Sequence, residues 1–499
     1  MKAALWSALL VGLLVSPAAA EKHDVIWLAV GPEELTAPLA PLIEKRKADG
    51  YVVHVAKPPV ADAIKALGRA PSVLLLVGDV HHGHPAESWT VPPMRRELYK
   101  WRKPQRPEFS SDALYGDTDG DLVPDIPVGR IPARTPAQVK LVVEKTLTYE
   151  KQVPTLDDLR IVAWAGAPGY GGTIDAMATG MLVSTVRRFA PAWSDRWLIS
   201  AAAGNELCGW PPDQPRLFNE QWKKGAVLAA FVAHASDQAV FSMRHEGKGV
   251  WYHPGSARTA FATASKVAAP VLFLTCYSGE FDDGNECLGE TLLFLPGGPP
   301  AVIAATTESH PLPNVFAGRA MLKEMSGGAM RLGRTWTHAQ KKAVGMKDFL
   351  MENLLKDVEG KLEAEIDVAK LRRDHPLMFA ILGDPALRLK TPLPLDVKIE
   401  PEGDNAWTWS VPKPQAPAKL TVGYRAIPKS GKPPAGTAVP DRETANRRLV
   451  EANAKEAYVT VATLAADAEW TGALTKPGWY RFVVEGGERL AATAVKVGK

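Results

Sequence analysis

The first 390 or so residues alternate short, continuously apolar runs with helical patterns, an arrangement typical of a parallel sheet with crossover helices. In the amino-terminal part, strands are predicted at Asp24–Val30, Tyr51–Val55, Val73–Val77 and Asp125–Arg130, and helices at Leu39–Ala48, Ala61–Leu67 and Pro136–Gln152. The order of strand, helix and strand predicts right-handed crossovers. Residues 81–111 are rich in proline, tryptophan and basic side chains without a clear period, so we expect a long loop there.

The next part of the chain repeats the pattern. Its two most apolar runs are Val227–Ala233 and Pro270–Thr275, and helices are predicted at Ile174–Phe189, Asn314–Met325 and Thr335–Lys356. The predicted fold class is therefore α/β, with a mostly parallel sheet flanked by helices.

After Lys390 the pattern changes to short alternating strands separated by proline and glycine turns. They are predicted at Leu395–Ile399, Ala406–Val411, Leu420–Tyr424, Ala457–Val461 and Trp479–Val484. Short alternating strands at this spacing predict a β-sandwich of immunoglobulin-like size.

The amino terminus carries the pattern of a secretory signal peptide. Lys2 precedes an apolar core, and an Ala-x-Ala end predicts cleavage after Ala20. No later segment has 18 continuous apolar residues, so we expect a secreted or periplasmic protein without a transmembrane segment. The predicted divisions are a signal peptide at 1–20, an α/β subdomain at 21–155, a second α/β subdomain at 156–392 and the β-sandwich at 393–499.

Composition limits the classes of function. The 499 residues are 46% hydrophobic and 23% charged, which is typical of a globular chain of two or three domains. A net charge of +4 gives no reason to expect nucleic acid as a partner. Three cysteines do not make a disulfide scaffold, although Cys208 and Cys287 could pair while Cys276 stays free.

Each of the two most apolar runs leads directly to a residue suited to covalent catalysis. His234 follows the first run and Cys276 follows the second. Chemistry in parallel sheets collects at the carboxyl ends of the strands, so we expect the two side chains to lie together. A thiol beside an imidazole is the minimal nucleophile and base of a cysteine hydrolase.

The residues around this pair are similar to those of the gingipain-like cysteine peptidases, a family that shares a structural clan with caspases and legumains. The matching stretches are Val73–Asp79, Ser111–Tyr115, Pro124–Ala133, Tyr149–Glu150, His234–Asp237, Leu274–Phe281 and Leu382–Leu387. The resemblance implies a caspase-like sheet in two subdomains followed by an immunoglobulin-like domain. It also implies a protein or peptide substrate, with Cys276 as nucleophile, His234 as base, and the amides of Cys276 and Ala235 as oxyanion donors.

Two positions depart from the family pattern. Ala235 stands where the family has glycine, and it would be strained only if the site required a positive φ. The stretch Ile161–Pro168, where gingipains carry an acid that orients the histidine, has no carboxylate. The resemblance to caspases implies that a dyad can suffice.

The resemblance also suggests two acids for the substrate pocket. Asp175 lies in the loop that holds the specificity carboxylate of basic-specific members, and Glu308 lies in the loop of the opposite wall. They would bind an Arg or Lys at the P1 position of a substrate. Asp175 is equally well explained as the first-turn acid of a helix.

A separate acidic loop predicts a structural calcium site. Asp117, Asp119, Asp121 and Asp125 surround Gly120 and offer hard oxygen ligands, as calcium requires. Structural calcium is common in gingipain-like enzymes, and an ordinary acidic turn is the alternative. No organic cofactor is expected.

Two rival functions remain open from the sequence. The chain could be a secreted binding or scaffold protein that kept the fold and lost the reaction, as Ala235 and the missing acid would suggest. It could instead be a metal-dependent hydrolase using His81, His82 and His84. The oligomeric state is not predicted.

Overall fold

The computed structural model describes residues 25–98, 107–169, 172–328, 331–349, 352–353, 367–403, 405–414, 417–427 and 438–498. The predicted signal peptide lies outside these ranges. Within them, no helix is both long and apolar enough to cross a membrane.

The α/β part contains fourteen strands in the described ranges. They are β1 (Ile26–Val30), β2 (Val52–Ala56), β3 (Val73–Val77), β4 (Met94–Glu97), β5 (Glu108–Ser111), β6 (Val128–Ile131), β7 (Arg160–Ala165), β8 (Asp195–Ser200), β9 (Leu228–Val232), β10 (Val240–His245), β11 (Lys248–Tyr252), β12 (Val271–Leu274), β13 (Ala301–Ala305) and β14 (Phe379–Gly383).

Helices connect most of these strands. They are α1 (Glu33–Thr36), α2 (Ala40–Ala48), α3 (Val60–Ala66), α4 (Pro136–Lys151), α5 (Gly172–Phe189), α6 (Gln214–Lys224), α7 (Pro254–Phe261), α8 (Leu288–Phe294), α9 (Pro311–Met325), α10 (Leu332–Val344) and α11 (Val368–Asp374). Short 3-10 helices lie at Ala37–Leu39, Asp112–Gly116, Leu156–Asp158, Pro211–Asp213 and His375–Met378.

Ten strands form one central sheet in the order β2-β1-β3-β6-β14-β13-β12-β9-β7-β8. Strand β1 pairs in parallel with β2 and β3, and β3 pairs in parallel with β6. The neighbouring strands β13, β12, β9, β7 and β8 also pair in parallel, in that order. Strands β13 and β14 are antiparallel. The prediction of a mostly parallel sheet flanked by helices is confirmed.

Burial on both faces explains why the strands are continuously apolar. In β12, Val271 and Phe273 belong to one apolar cluster, and Leu272 and Leu274 belong to the cluster on the opposite face. A strand covered by helices on both sides has no polar face to alternate with.

Three sequence predictions within this part were wrong in detail. The segment predicted as a loop at 81–111 contains the hairpin strands β4 and β5, which pair antiparallel. The basic segment Arg244–Arg258, which the sequence pattern predicts as a loop, contains most of the β10–β11 hairpin and the start of α7. The helix predicted to reach Lys356 ends at Val344, where Gly345 forms the C-cap.

The carboxyl-terminal part contains seven strands and a helix in the described ranges. They are β15 (Lys398–Gly403), β16 (Ala406–Ser410), β17 (Lys419–Arg425), α12 (Arg442–Ala454), β18 (Val459–Leu464), β19 (Thr471–Leu474), β20 (Gly478–Glu485) and β21 (Ala491–Val497). The sheets β15-β16-β19 and β18-β17-β20-β21 are antiparallel and share one apolar cluster. The immunoglobulin-like character remains a prediction.

Helix α12, which the sequence pattern did not predict, covers the edge of the central sheet. The side chain of Asn453 accepts from the amide of Leu198 in β8 at 2.6 Å and donates to the carbonyl of the same residue at 3.0 Å. This pairing occupies edge groups that would otherwise be open to another strand.

Candidate active site

The ends of β9 and β12 bring the two chemically important residues to the same edge of the sheet. These strands are parallel, and Val232 is paired with Leu274 at their last registered position. His234 and Cys276 each lie two residues further along. Because β9 and β12 are adjacent parallel strands, both residues follow neighbouring strand ends at the same edge of the sheet.

His234 is held by a backbone carbonyl. Its Nε2 lies 2.6 Å from the carbonyl oxygen of Pro168, in the loop after β7, and β7 is the other neighbour of β9. A carbonyl only accepts, so this bond requires the proton on Nε2 and leaves Nδ1 of the neutral ring as the acceptor. His234 is exposed, so its ring is accessible from solvent.

Cys276 is half-buried, and its thiol donates to the carbonyl of Ser309 with an Sγ to O distance of 3.4 Å. The residue after it, Tyr277, has a φ of 58°. A left-handed conformation at a bulky residue costs on the order of 1–3 kcal/mol and persists only where the surroundings impose it. Here the amide of Tyr277 donates to the carbonyl of Thr307 at 3.1 Å.

The backbone at Ala235 is not in the left-handed region that would favour glycine. Ala235 forms a β-bridge with Val240. The two hydrogen bonds of this turn run from Phe241 to the carbonyl of His234 and from Ser236 to the carbonyl of Ala239, and neither uses the amide of Ala235. The alanine is therefore accommodated without backbone strain.

The other two cysteines are chemically different from Cys276. Cys208 and Cys287 are buried and unbonded to each other, so the pairing considered from the sequence is wrong. Burial raises the pKa of the Cys208 thiol to about 12 and raises that of Cys287 well above its ordinary value. Both thiols stay protonated at neutral pH, which makes them poor nucleophiles.

The two predicted substrate-pocket acids lie in different elements, one in a helix and one in a loop. Asp175 lies in the first turn of α5, half-buried, and its carbonyl accepts from the hydroxyl of Thr179. Glu308 is half-buried in the loop after β13, directly before Ser309, whose carbonyl accepts from the thiol. Glu308 is thus adjacent in sequence to a residue that contacts Cys276.

The acidic loop brings together three of its four predicted ligands. Oxygen atoms of Asp117, Asp119 and Asp125 lie within 4.8 Å of one another. Asp121 is outside this group, and its Oδ1 accepts from the amide of Val123. Asp125 also accepts from Lys341 at 3.0 Å, and its hydrogen bond from Thr118 is the largest influence that lowers its pKa.

The three histidines after β3 make packing and backbone contacts. The rings of His81 and His84 are edge to face at 5.8 Å, and His81 also meets Trp89 at 5.3 Å. The amide of His82 donates to the carbonyl of Asp282, which joins this loop to the segment after Cys276.

Comparisons with known proteins agree with this architecture. The model of peptidase family C25 matches residues 19–390. The crystal structure of the Arg-specific cysteine proteinase gingipain R (RgpB) superimposes with a TM-score of 0.55 at 14% identity, covering 96% of this chain and 99% of that one. The complex of the pro- and mature domains of RgpB from Porphyromonas gingivalis gives 0.53 at 14% identity, covering 95% and 100%. None of the curated proteins matches the chain. At 14% sequence identity, these structural similarities show a shared fold only.

Proposed function

Because the chain belongs to peptidase family C25, we propose that it is an exported, gingipain-like cysteine endopeptidase that acts through Cys276 and His234. The observation that carries this proposal is the register of β9 and β12, which gives both residues the same offset from a paired position. The carbonyl of Pro168 takes the orienting role that a carboxylate has in gingipains.

The proposed reaction follows from the protonation of these groups. Nδ1 of His234 takes the thiol proton, and the thiolate of Cys276 attacks the scissile carbonyl carbon. The oxyanion is stabilised by the amides of Cys276 and Ala235. The imidazolium then protonates the leaving amine as the carbon–nitrogen bond breaks. Water, deprotonated by His234, attacks the thioester and releases the acid and the thiol.

The contact between Cys276 and Ser309 defines the resting state in this proposal. A thiol that donates to a carbonyl is stabilised in its neutral form. Transfer of the proton to His234 therefore requires the thiol to leave this acceptor, which a bound substrate can promote by occupying the site.

For the substrate, we propose a preference for Arg or Lys at P1, with Asp175 and Glu308 as the acids that bind the cation. Support comes from their half-buried positions, Asp175 in the first turn of α5, which follows β7, and Glu308 in the loop after β13. Asp175→Asn and Glu308→Gln should each lower kcat/KM for an Arg substrate more than for the matching Ala substrate. An equal change for both substrates would remove that residue from the specificity pocket.

We also propose calcium as a structural ligand of Asp117, Asp119 and Asp125, with Asp121 as a further contributor. The convergence of three carboxylates fits a hard cation, although Lys341 already pairs with Asp125. Calcium should raise the melting temperature of wild-type protein, and the rise should be absent in Asp117→Asn. No rise with millimolar calcium would show an ordinary acidic turn.

The experiment for the main proposal is cleavage of a mixed peptide library by the mature chain, with and without calcium, beside Cys276→Ala. Cuts that are lost in the variant support the peptidase, and the residues at P1 report the preference. Cuts shared by both proteins would contradict the mechanism and favour a metal-dependent hydrolase.

The second candidate function is that of a secreted binding protein that has lost catalysis. The absence of a carboxylate partner for His234 in the loop after β7 favours it, since a carbonyl stabilises an imidazolium less than a carboxylate does. No cuts by either protein, with the folded state verified, would support this function.

A further inference from the structure

We infer that Ser309, Asn314 and His375 form a positioning network that fixes both the nucleophile and one oxyanion donor. The inference rests on the proposed function and extends it to three residues outside the dyad. They come from three separate elements: the loop after β13, the first turn of α9, and the 3-10 helix before β14.

The network is a continuous line of hydrogen bonds. Nε2 of His375 lies 2.8 Å from Oδ1 of Asn314, and Nδ2 of Asn314 donates to the hydroxyl of Ser309 at 2.9 Å. The Ser309 hydroxyl in turn donates to the carbonyl of Thr275 at 3.1 Å, and the Ser309 carbonyl accepts from the thiol of Cys276.

The direction of every bond in this line is determined by its chemistry. Burial lowers the pKa of His375 to about 3, so the ring is neutral at physiological pH, and the amide oxygen of Asn314 can only accept from it. Asn314 therefore presents its amino group to Ser309. Because a carbonyl oxygen can only accept, the Ser309 hydroxyl donates its single proton to the carbonyl of Thr275.

The last hydrogen bond of the network, from Ser309 to the carbonyl of Thr275, connects it to the proposed oxyanion site. The carbonyl of Thr275 and the amide of Cys276 belong to the same peptide group, and that amide is a proposed oxyanion donor. A hydrogen bond to the carbonyl fixes the orientation of the peptide plane and polarises its N–H, which makes the amide a better donor. Through its own carbonyl, Ser309 also determines where the thiol rests.

Burial makes this network costly to disturb. Ser309 and Asn314 are each 4% exposed and His375 is 1% exposed, so water cannot readily replace a lost partner. A buried polar line of this kind could serve stability alone. The test must therefore separate a loss of stability from a loss of positioning.

Ser309→Ala is the sharpest variant, because it removes the hydroxyl and keeps the carbonyl that accepts from Cys276. We expect kcat to fall by about 10- to 100-fold, the range for misplaced catalytic groups, with little change in KM. Asn314→Ala should behave alike. His375→Gln keeps a donor near the position of Nε2 and should retain most of the activity.

Asn453→Ala is the matched control. It removes a buried asparagine that bonds the backbone of β8, at the far end of the sheet. It should lower the melting temperature as the network variants do and leave kcat unchanged. An equal loss of kcat in this control, or an unchanged kcat in Ser309→Ala, would overturn the inference.

Alkylation of Cys276 by iodoacetamide, followed by mass spectrometry as a function of pH, separates this inference from the proposed function. Ser309→Ala and Asn314→Ala should shift the midpoint of the profile by about half a pH unit or more, whereas Asn453→Ala should not. If the wild type does not cleave peptides but the shift is seen, the proposed function fails and the network stands. If the wild type cleaves and the variants match it in both assays, only the network fails.

Discussion

Two regions of the central sheet carry polar residues near their strand ends, and the environments of those residues differ. One region is formed by β3 and β6, and the other by β9 and β12. Asp79, after β3, is 1% exposed and accepts from Nε of Arg134 at 2.6 Å. Nearby in β6, the fully buried Arg130 pairs with Asp112 at 2.7 Å. At the end of β12, Cys276 is half-buried and contacts a neutral carbonyl.

The difference shows that one sheet can combine charge-paired buried residues with uncharged contacts at the proposed catalytic residues. In β6, the buried guanidinium of Arg130 is paired with the carboxylate of Asp112, and that pairing holds both charges in one arrangement. Just beyond β9 and β12, His234 is hydrogen-bonded to the neutral carbonyl of Pro168, and Cys276 to the neutral carbonyl of Ser309. Neither carbonyl carries a charge, and in the proposed reaction the proton passes from the thiol to the imidazole once the thiol leaves Ser309.

The largest effect is expected from the loss of the proposed base, His234, after β9. His234→Ala should lower kcat/KM for a cleaved peptide by about 100- to 10,000-fold, the usual contribution of a general base. His54→Ala, which removes an exposed histidine from the edge strand β2, should leave it unchanged. Equal activity in the two variants would show that His234 is not the base.

The next largest effect concerns the buried ion pair between Arg130 and Asp112. Asp112→Ala leaves the guanidinium of Arg130 buried without its carboxylate and should reduce the free energy of unfolding by about 3–5 kcal/mol. Glu44→Ala breaks only an exposed pair with Lys47 and should change it by about 0–1 kcal/mol. Urea unfolding measures both, and similar values would contradict the assignment of a structural role.

A smaller effect follows from the titration of His375. Its pKa in the folded protein is about 3, whereas the unfolded value is about 6.5. Stability is therefore fully present above pH 6.5 and falls, as the unfolded state takes up the proton first, by about 1.4 kcal/mol per pH unit down to pH 3. Between pH 7 and pH 5, wild type should lose about 2 kcal/mol more than His375→Gln. The same loss in both proteins would show that His375 does not titrate in this way.

The smallest effect is expected at Ala235. Because its φ is not positive, Ala235→Gly should change kcat/KM by no more than about threefold. The measurement uses the same peptide as the His234 variant. A gain of 100-fold would show that the alanine, rather than the missing carboxylate, limits the site.

Much of the central sheet was predictable because strands covered on both faces must be apolar throughout. The predicted bounds of β3 match the structure, and those of β1 and β2 are shifted by one or two residues. The hairpin of β10 and β11 was missed because its strands mix polar and apolar residues. The turn did carry one signal in the sequence, which is Gly247. Glu246 and Gly247 both have positive φ, as a two-residue hairpin turn requires, and glycine favours that conformation.

The partners of the candidate catalytic residues were beyond sequence reasoning. Every residue has a carbonyl, so nothing in the sequence marks Pro168 or Ser309 as an acceptor. Asn314 and His375 meet only because α9 and the turn before β14 pack together, which no local pattern encodes. Side chains that follow strand ends could be placed, whereas contacts made by the backbone could not.

The most direct test of the central claim is labelling of the folded protein with a panel of peptidyl chloromethyl ketones, followed by peptide mapping. The account predicts one adduct, on Cys276, that forms slowly or not at all in His234→Ala. Cys208 and Cys287 should remain unmodified because they are buried. If iodoacetamide modifies Cys276 but no peptidyl label does, the thiol is accessible without a substrate site, and the proposed peptidase mechanism is wrong.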